Sequence, residues 1–543
     1  MKIKILTFLL IFNTLFNVFG QGIEDALRFS QKNPTGTART MAMGNAFGAL
    51  GADLSTTVIN PAGIAFYRGS EVTFTPSIVF NNSIGTSINA RGESNQTTFA
   101  PNQLGVVWTF KPLRESTKGV VSSSLGLSYN RMANHNISAF IKGTFDPIVS
   151  ETSNGIRNYT PSLLDAFRDE ANGKSLETLN KFRAGLAYEV YLLDELRFQL
   201  GGEDISFNNQ YYHAYQKPSL FIETDSEGNK SYVAEISDRT LNGLQKGKVI
   251  EQDGNTNEYN INYGLNISNV LFLGATMGVE TLRFDEHTIY HEAPNGGLTP
   301  TDDPSWDEKD IASFDYHSFL EQRGRGVNFK LGAIIKPVNS IRLGLAFHTP
   351  TYYSIDEVFW NKMISSFLNG DKYSRNSASI GEYSYSFRTP SKLIVSSAFV
   401  VGNIGILSVD YENVDYSNSK FKSSDQVYDD FSGRNNEIKT KLKNAGNLRI
   451  GAEIKLLGDL SLRAGYSKLG NPYSSESLLK KTIDSFSGGF GYRSRYYFVD
   501  FAYRYSKQQT DIAVSNWESN EYSSLARMKI YDHQVAVTVG YRF

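Results

Sequence analysis

The chain contains no cysteine. Disulfides and thiolate metal sites are therefore excluded as sources of stability. It also lacks an excess of charge of either sign: 54 basic and 56 acidic side chains leave a formal net charge of -2. Phosphate binding needs a basic footprint, so nucleic acid is excluded as a partner. Beyond the first 16 residues no apolar run approaches the length of a membrane-crossing helix. No Gly-x-Ser-x-Gly elbow supports a lipase, and no Gly-rich phosphate loop with lysine is present. What the chain does have is aromatic residues, 13% of the total, including 31 Tyr and 35 Phe. Tyrosine suits a membrane–water interface, where the ring is buried and the hydroxyl stays wet.

The first residues read as a secretory signal. Lys2 and Lys4 precede an apolar stretch from Ile5 to Phe16, and Val18 and Gly20 are small enough for a cleavage site before Gln21. Residues 1–20 are thus expected to be removed, and with no Cys near the cut the mature end carries no lipid.

The other end carries the most informative pattern. Val535, Val537, Val539, Tyr541 and Phe543 fall on one face of a strand, and Gln534, Ala536, Thr538, Gly540 and Arg542 on the other. A terminal strand that is apolar on one side and ends on an aromatic residue is typical of outer-membrane β-barrels. The same period of two recurs in Val327 to Ile335, Ile341 to Phe347, Leu448 to Ile454 and Val499 to Tyr505. Arg342, Arg449, Glu453, Arg463, Arg493, Asp500, Arg504 and Arg542 sit on the polar stripes. In a dry core so many charges would be prohibitive, whereas a water-filled lumen accepts them. The predicted fold is all-β: a transmembrane antiparallel β-barrel of about fourteen strands.

The expected strand cores are 71–82, 97–111, 120–142, 247–267, 270–289, 313–336, 340–356, 380–401, 404–418, 445–456, 460–469, 482–493, 496–511 and 530–543. Short connections such as Ile267-Ser268-Asn269 and Pro337-Val338-Asn339 alternate with long ones, as periplasmic turns and extracellular loops do. The longest insertion is 144–242. Within it 160–183 reads as helical, starting at Thr160-Pro161, and Leu186 to Leu193 fits helix or strand equally. If 183–220 enters the wall as a hairpin, the count rises to sixteen. A second helix is expected after Asp356, with Phe359, Trp360, Met363, Ile364 and Phe367 on one face and Asn369-Gly370 as its stop. An apolar helical face on an outer loop packs against other loops or captures a greasy ligand.

Residues 22–69 do not alternate. They are dense in small side chains from Gly36 to Asp53, followed by Asn60-Pro61-Ala62-Gly63. Small residues permit close backbone approach, so this segment can fold compactly inside a barrel. In these residues the chain resembles the FadL-type outer-membrane transporters of long-chain fatty acids and other hydrophobic compounds. The matching features are the Gly36-Thr37-Ala38-Arg39 start, the Gly44 turn, Asp53 and the Asn60-Pro61-Ala62 motif. The resemblance implies a hatch over 21–69 within a barrel of 70–543, with Arg39, Gly44, Asp53, Asn60, Pro61, Ala62 and Gly63 as hatch residues. It implies passive uptake without cofactor or catalysis: capture among the outer loops, a pocket near the hatch, and sideways exit at a kink in the strand 120–142. Phe359, Trp360, Met363, Ile364 and Phe367 would then form the capture groove. Inward Leu282 and Phe284 would line the pocket or contact the hatch. The expected partners are a hydrophobic small molecule, outer-membrane lipid and lipopolysaccharide, and the barrel-assembly machinery through the C-terminal strand. The long insertion departs from the family pattern.

Rival readings are a general porin, an outer-membrane lipid-modifying enzyme and a haem-binding barrel. The last rests on His287 and His291, four residues apart at a strand end. Acidic residues at 302, 303, 307, 310, 425, 429 and 430 offer divalent-cation contacts to lipopolysaccharide, or are simply solvated.

Overall fold

The computed structural model describes residues 22–543 except 88–89, 113–117, 146–147, 153–154, 226–228, 240–241, 299–309, 403, 424–430, 457–458, 476, 478–479 and 515–524. The expected signal segment lies outside the described residues, as do all the acidic loop positions except Asp310. That residue pairs with Arg239 at 2.5 and 2.8 Å.

Fourteen strands form one closed antiparallel wall. They are β1 (Glu71–Ser87), β2 (Ala90–Phe110), β3 (Val120–Asn134 and Ile137–Phe145), β4 (Leu244–Ile267), β5 (Leu271–Pro294), β6 (Ile311–Val338) and β7 (Ile341–His348 and Tyr352–Phe367). There follow β8 (Gly381–Arg388 and Lys392–Val401), β9 (Gly405–Asp415 and Lys420–Ser423), β10 (Asn444–Lys455), β11 (Leu460–Leu469), β12 (Lys481–Arg493), β13 (Tyr497–Ala513) and β14 (Leu525–Arg542). Each pairs with its sequence neighbours, and β14 returns to β1 with Phe74 opposite Val539 and Ile78 opposite Val535. Closure satisfies the edges apart from the upper part of β2, and closure is what lets a sheet cross lipid. Outward Leu331, Leu345 and Val395 are more than half exposed, as lipid-facing residues must be in the absence of a bilayer. Their inward neighbours Gly332, Ala346 and Ser396 are small.

The described residues of the insertion 146–243 add no strand to the wall. Its hairpins Leu193–Leu200 with Glu203–His213, and Gln216–Thr224 with Lys230–Asp238, pair only within themselves. The count is therefore fourteen, not sixteen. Two helices of the insertion stand on the outer end of the barrel, labelled α3 (Leu163–Ala171) and α4 (Ala184–Glu189) after two further N-terminal ones. Ser162, rather than Thr160, caps α3: its hydroxyl accepts from Leu164 N at 3.0 Å and its own N–H donates to Asp165 at 2.8 Å. Leu163, Leu164 and Phe167 pack with Leu186, Val190 and Leu192 against Phe314, Tyr316 and Met363 of the wall.

The expected helix over 359–367 is a strand. The residues from Tyr352 to Phe367 continue β7 beyond the membrane, paired with β6 (Phe319 opposite Trp360) and with a short strand, Lys372–Asn376. The apolar spacing fits a helical face, but the intervening Glu357, Asn361 and Ser365 are buried together with Phe359 and Met363. Ladder partners on both sides satisfy the backbone, and period two prevails over 3.6. Asn369-Gly370 is a hairpin turn, with Gly370 at φ +93°, and Asp356 accepts from Ser384 at 2.6 Å instead of capping a helix.

Candidate functional site

The site is built where residues 22–69 meet the inner wall. Helix α1 (Ile23–Ser30) leads to α2 (Ala38–Ala42) and two 3₁₀ turns, Leu54–Val58 and Pro61–Phe66. Asn60 organises the second turn. Its carbonyl oxygen Oδ1 accepts from Ala62 N at 3.1 Å, and its amide donates to Gly48 O at 2.6 Å and to Ala333 O of β6 at 3.3 Å. Pro61 takes the first position of that turn, where its missing N–H costs nothing. Gly63 N–H donates to Asn60 O at 3.0 Å, and Ala52 N–H donates to Gly63 O at 3.1 Å. Asp53 caps the first turn, accepting from Ser55 N at 2.9 Å and Thr37 Oγ1 at 2.8 Å. Gly44, at φ +62°, places its backbone against that of Tyr466.

Glycines on the wall receive this segment. Gly264, Gly274 and Gly332 are direct cross-strand partners on β4, β5 and β6. A side chain on Gly274 would overlap the backbone of Pro61, and one on Gly332 would overlap Asn60. Gly451 and Gly465, paired on β10 and β11, accept Met43 and Gly44 in the same way. These five positions escaped the sequence reading. Each showed only as one small residue on an inner stripe, and register alone reveals that they adjoin.

Charge supplies the second contact. Arg39 donates from Nε and Nη2 to Glu453 at 2.9 and 3.1 Å; Glu453 also accepts from Arg463 at 2.6 Å, and Arg463 reaches Asp500 at 2.6 Å. Burial alone would lower the Arg39 guanidinium pKa, but the Glu453 carboxylate outweighs it and holds the group above its ordinary value. The sequence reading assigned such charges to a wet lumen. Instead Glu453, Arg463 and Asp500 pair with one another and with Arg39 of the N-terminal segment, all nearly buried, while Arg463 Nη2 and Asp500 Oδ2 keep no hydrogen-bond partner among the described residues.

Leu282 and Phe284 point inward, where α1 fills the space beside them. Leu282 packs in one cluster with Leu27, Phe29, Tyr353, Ile355 and Tyr385. Phe284 lies under the Arg28 guanidinium at 3.6 Å. Arg28 pairs with Asp25, whose carboxyl burial pushes up. Below α1 a cavity of about 40 Å³ is lined by Lys32, Glu280, Lys330, His348, Lys392 and Glu412. That volume holds about one or two waters.

The wall has one seam. β2 and β3 pair only from Gln103–Phe110 to Ser123–Asn130. β3 then breaks at His135-Asn136, so the expected strand 120–142 is two segments. Asn136 accepts from the N–H of Gly254, at φ +148°, over 2.8 Å. The upper half of β3 crosses the inner face of the β1–β2 hairpin, where a side chain on Gly85 or Gly92 would overlap Phe140. Just below the break, Asn33 N–H donates to Met132 O at 3.1 Å. The N-terminal segment is thus hydrogen-bonded to the lip of the seam.

The remaining candidate residues divide. Phe359 and Met363 are buried on the inner face of β7, Trp360 and Ile364 face outward, and Phe367 ends the strand. His287 and His291 lie outside the barrel without converging: His291 pairs with Asp315 at 2.7 Å, and His287 bonds His317 at 3.1 Å. Among the described residues no three metal-binding side chains gather.

Solved structures share this architecture. A deletion mutant of TodX, a monoaromatic hydrocarbon channel, superposes with a TM-score of 0.50 at 12% identity, covering 94% of this chain and 99% of that one. The fold is that of FadL-type transporters. The Pseudomonas putida toluene transporter TodX itself gives 0.49 at 13% identity over 94% and 99%, and a Pseudomonas aeruginosa FadL homologue gives 0.49 at 12% over 94% and 98%. No family profile and no curated protein matches the sequence. A closed fourteen-strand barrel with an apolar outer band belongs in a Gram-negative outer membrane.

Two substitutions test the seating of the segment. Arg39→Ala leaves Glu453 buried with one cation fewer and should lower unfolding stability by about 3–5 kcal/mol, measured by denaturant titration in detergent. Gly274→Val should push Pro61 off the wall, costing about 1–3 kcal/mol and raising antibiotic sensitivity of cells carrying it.

Proposed function

We propose that the protein passes hydrophobic small molecules across the outer membrane by diffusion, with 21–69 acting as the hatch. The observation that carries this reading is the hydrogen bond from Asn33 to the strand that forms the seam. While that bond holds, the N-terminal segment stays fixed to the lip of the seam; its release lets the segment move away and gives a route from the lumen into lipid. The similar structure that superposes at a TM-score of 0.50 is a monoaromatic hydrocarbon channel, which supports uptake of apolar compounds here. Each methylene buried in an apolar pocket contributes roughly 0.8 kcal/mol, so a long-chain fatty acid is a favourable substrate without an energy source. Arg39, Gly44, Asp53, Asn60, Pro61, Ala62 and Gly63 hold the hatch. Phe359 and Met363, on the inner face of the outer end of β7, are covered by Phe182 and the insertion helices and become capture surface only when the insertion moves. Leu282 and Phe284 become pocket lining when α1 withdraws. The filled lumen argues against a general porin, and the separated His287 and His291 argue against haem.

The absence of native cysteine makes the coupling testable. Asn33→Cys with Met132→Cys, oxidised to a disulfide, should abolish uptake of radiolabelled oleate, and a reductant should restore it. Unchanged uptake when oxidised rejects the route. Parallel uptake of toluene distinguishes a fatty-acid carrier from a monoaromatic channel. Deleting 22–31 should vacate the space beside Leu282 and raise oleate binding several-fold, read by isothermal titration; unaltered binding would show that α1 does not occupy the ligand's place.

A further inference from the structure

Four aromatic rings stand in a row on the outside of the barrel, above its lipid band. Outward positions on β5 are apolar through Leu273, Met277 and Val279, then charged at Arg283 and Asp285. On β6 they are apolar through Leu331, Phe329 and Val327, then charged at Arg325 and Arg323. The hydrocarbon boundary lies at that change. Eight residues further along each strand stand His287 and Phe319. With a rise of ~3.3 Å per residue and a tilt near ~40°, they lie roughly 15–20 Å beyond the apolar band. Acyl chains do not reach that height.

His287 is the cross-strand partner of Phe319, and Phe319 of Trp360. The rings are nearly parallel: Trp360 and Phe319 are 5.0 Å apart at 7°, Phe319 and His287 are 4.2 Å apart at 6°, and His317 follows at 5.4 Å and 17°. The row borders an outer concavity of about 570 Å³. It lies where the upper half of β3 steps inward beneath β2, so that Asn95 of β2 and Ser138 of β3 bound its far side. Glu251, Asp253, Asp285 and Glu321 add carboxylates, and no lysine or arginine is among the described residues lining it.

This composition selects a ligand class. A pyranose ring presents a face of C–H groups that packs on an aromatic ring, and its hydroxyls donate to carboxylates and amides around the rim. Charge-assisted hydrogen bonds of that kind are the stronger ones. Asp285 pairs with Arg283 and Arg323 beneath the rim, Arg323 also reaches Glu321, and Glu251 faces His287, so the rim offers hydrogen-bond acceptors with little net charge and no arginine or lysine among its described lining residues to hold phosphate. Above the lipid boundary of a Gram-negative outer leaflet, the group present at this height is the core oligosaccharide of lipopolysaccharide. We propose that the concavity at His287, Phe319 and Trp360 binds a neutral sugar of that core.

The test uses the whole protein in detergent, titrated by calorimetry with lipid-free core oligosaccharide. Saturable binding is expected, weakened at least tenfold in Trp360→Ala and in Glu251→Gln, with heat-modifiable gel migration unchanged. Glu251 is 62% exposed, so its variant folds whether or not Trp360→Ala does. Absent binding, or equal binding by wild type and Glu251→Gln, overturns the proposal. Binding of dextran but not core oligosaccharide overturns the source, and displacement by inorganic phosphate overturns recognition of a neutral sugar.

Discussion

The structure depends on backbone-to-backbone contact between the N-terminal segment and the barrel wall. A fourteen-strand barrel encloses more volume than its own inward side chains fill, and the segment occupies it. Contact this close requires the absence of Cβ atoms on one side, and Gly264, Gly274 and Gly332 provide a bare strip across three strands. Asn60-Pro61-Ala62 fits that strip because its turn is fixed internally before it meets the wall. The Arg39–Glu453 pair adds direction to a contact that glycine alone would leave free to slide. Burying four charges together is costly, but removing any one of them costs more, so the arrangement resists piecemeal change.

The interior has two storeys of different chemistry. On the periplasmic side the packing is small-residue and ionic. On the extracellular side α1 lies among Tyr353, Tyr385, Phe387 and Phe421. Between them Lys32 bonds Glu280 at 2.5 Å and Lys330 bonds Glu258 at 2.6 Å. An apolar molecule travelling the lumen axis would cross this charged layer. The seam at β2 and β3 offers a way past it, which is why the lateral route is the cheaper one for a greasy solute.

Much of this was legible in the sequence. Period two with apolar outward residues located all fourteen strands, because lipid imposes one strict rule on every outward position. The helical reading of 359–367 failed because that segment lies above the lipid. There the outward stripe is released from the rule, and Trp360, Lys362 and Ile364 no longer announce a strand. The charged inner stripe was read correctly as inward, but its counter-charges come from strands and from Arg39 far away in sequence. No local pattern shows that Glu453 and Arg39 meet. A kink in 120–142 follows from the resemblance alone; no residue marks its place, since His135-Asn136 is an unremarkable pair until Gly254 across the ladder is seen in its unusual conformation.

The shell is not equally stitched around its circumference. Where the last strand returns to the first, rungs run from Arg542 opposite Glu71 up to Arg527 opposite Thr86. One strand further on, the rungs stop at Gln103 opposite Asn130. The joint that completes the cylinder is therefore long, and so is the β1–β2 ladder beside it, whereas the ladder from β2 to β3 is short. β14, β1 and β2 thus form one continuously laddered panel whose border lies along the short ladder to β3.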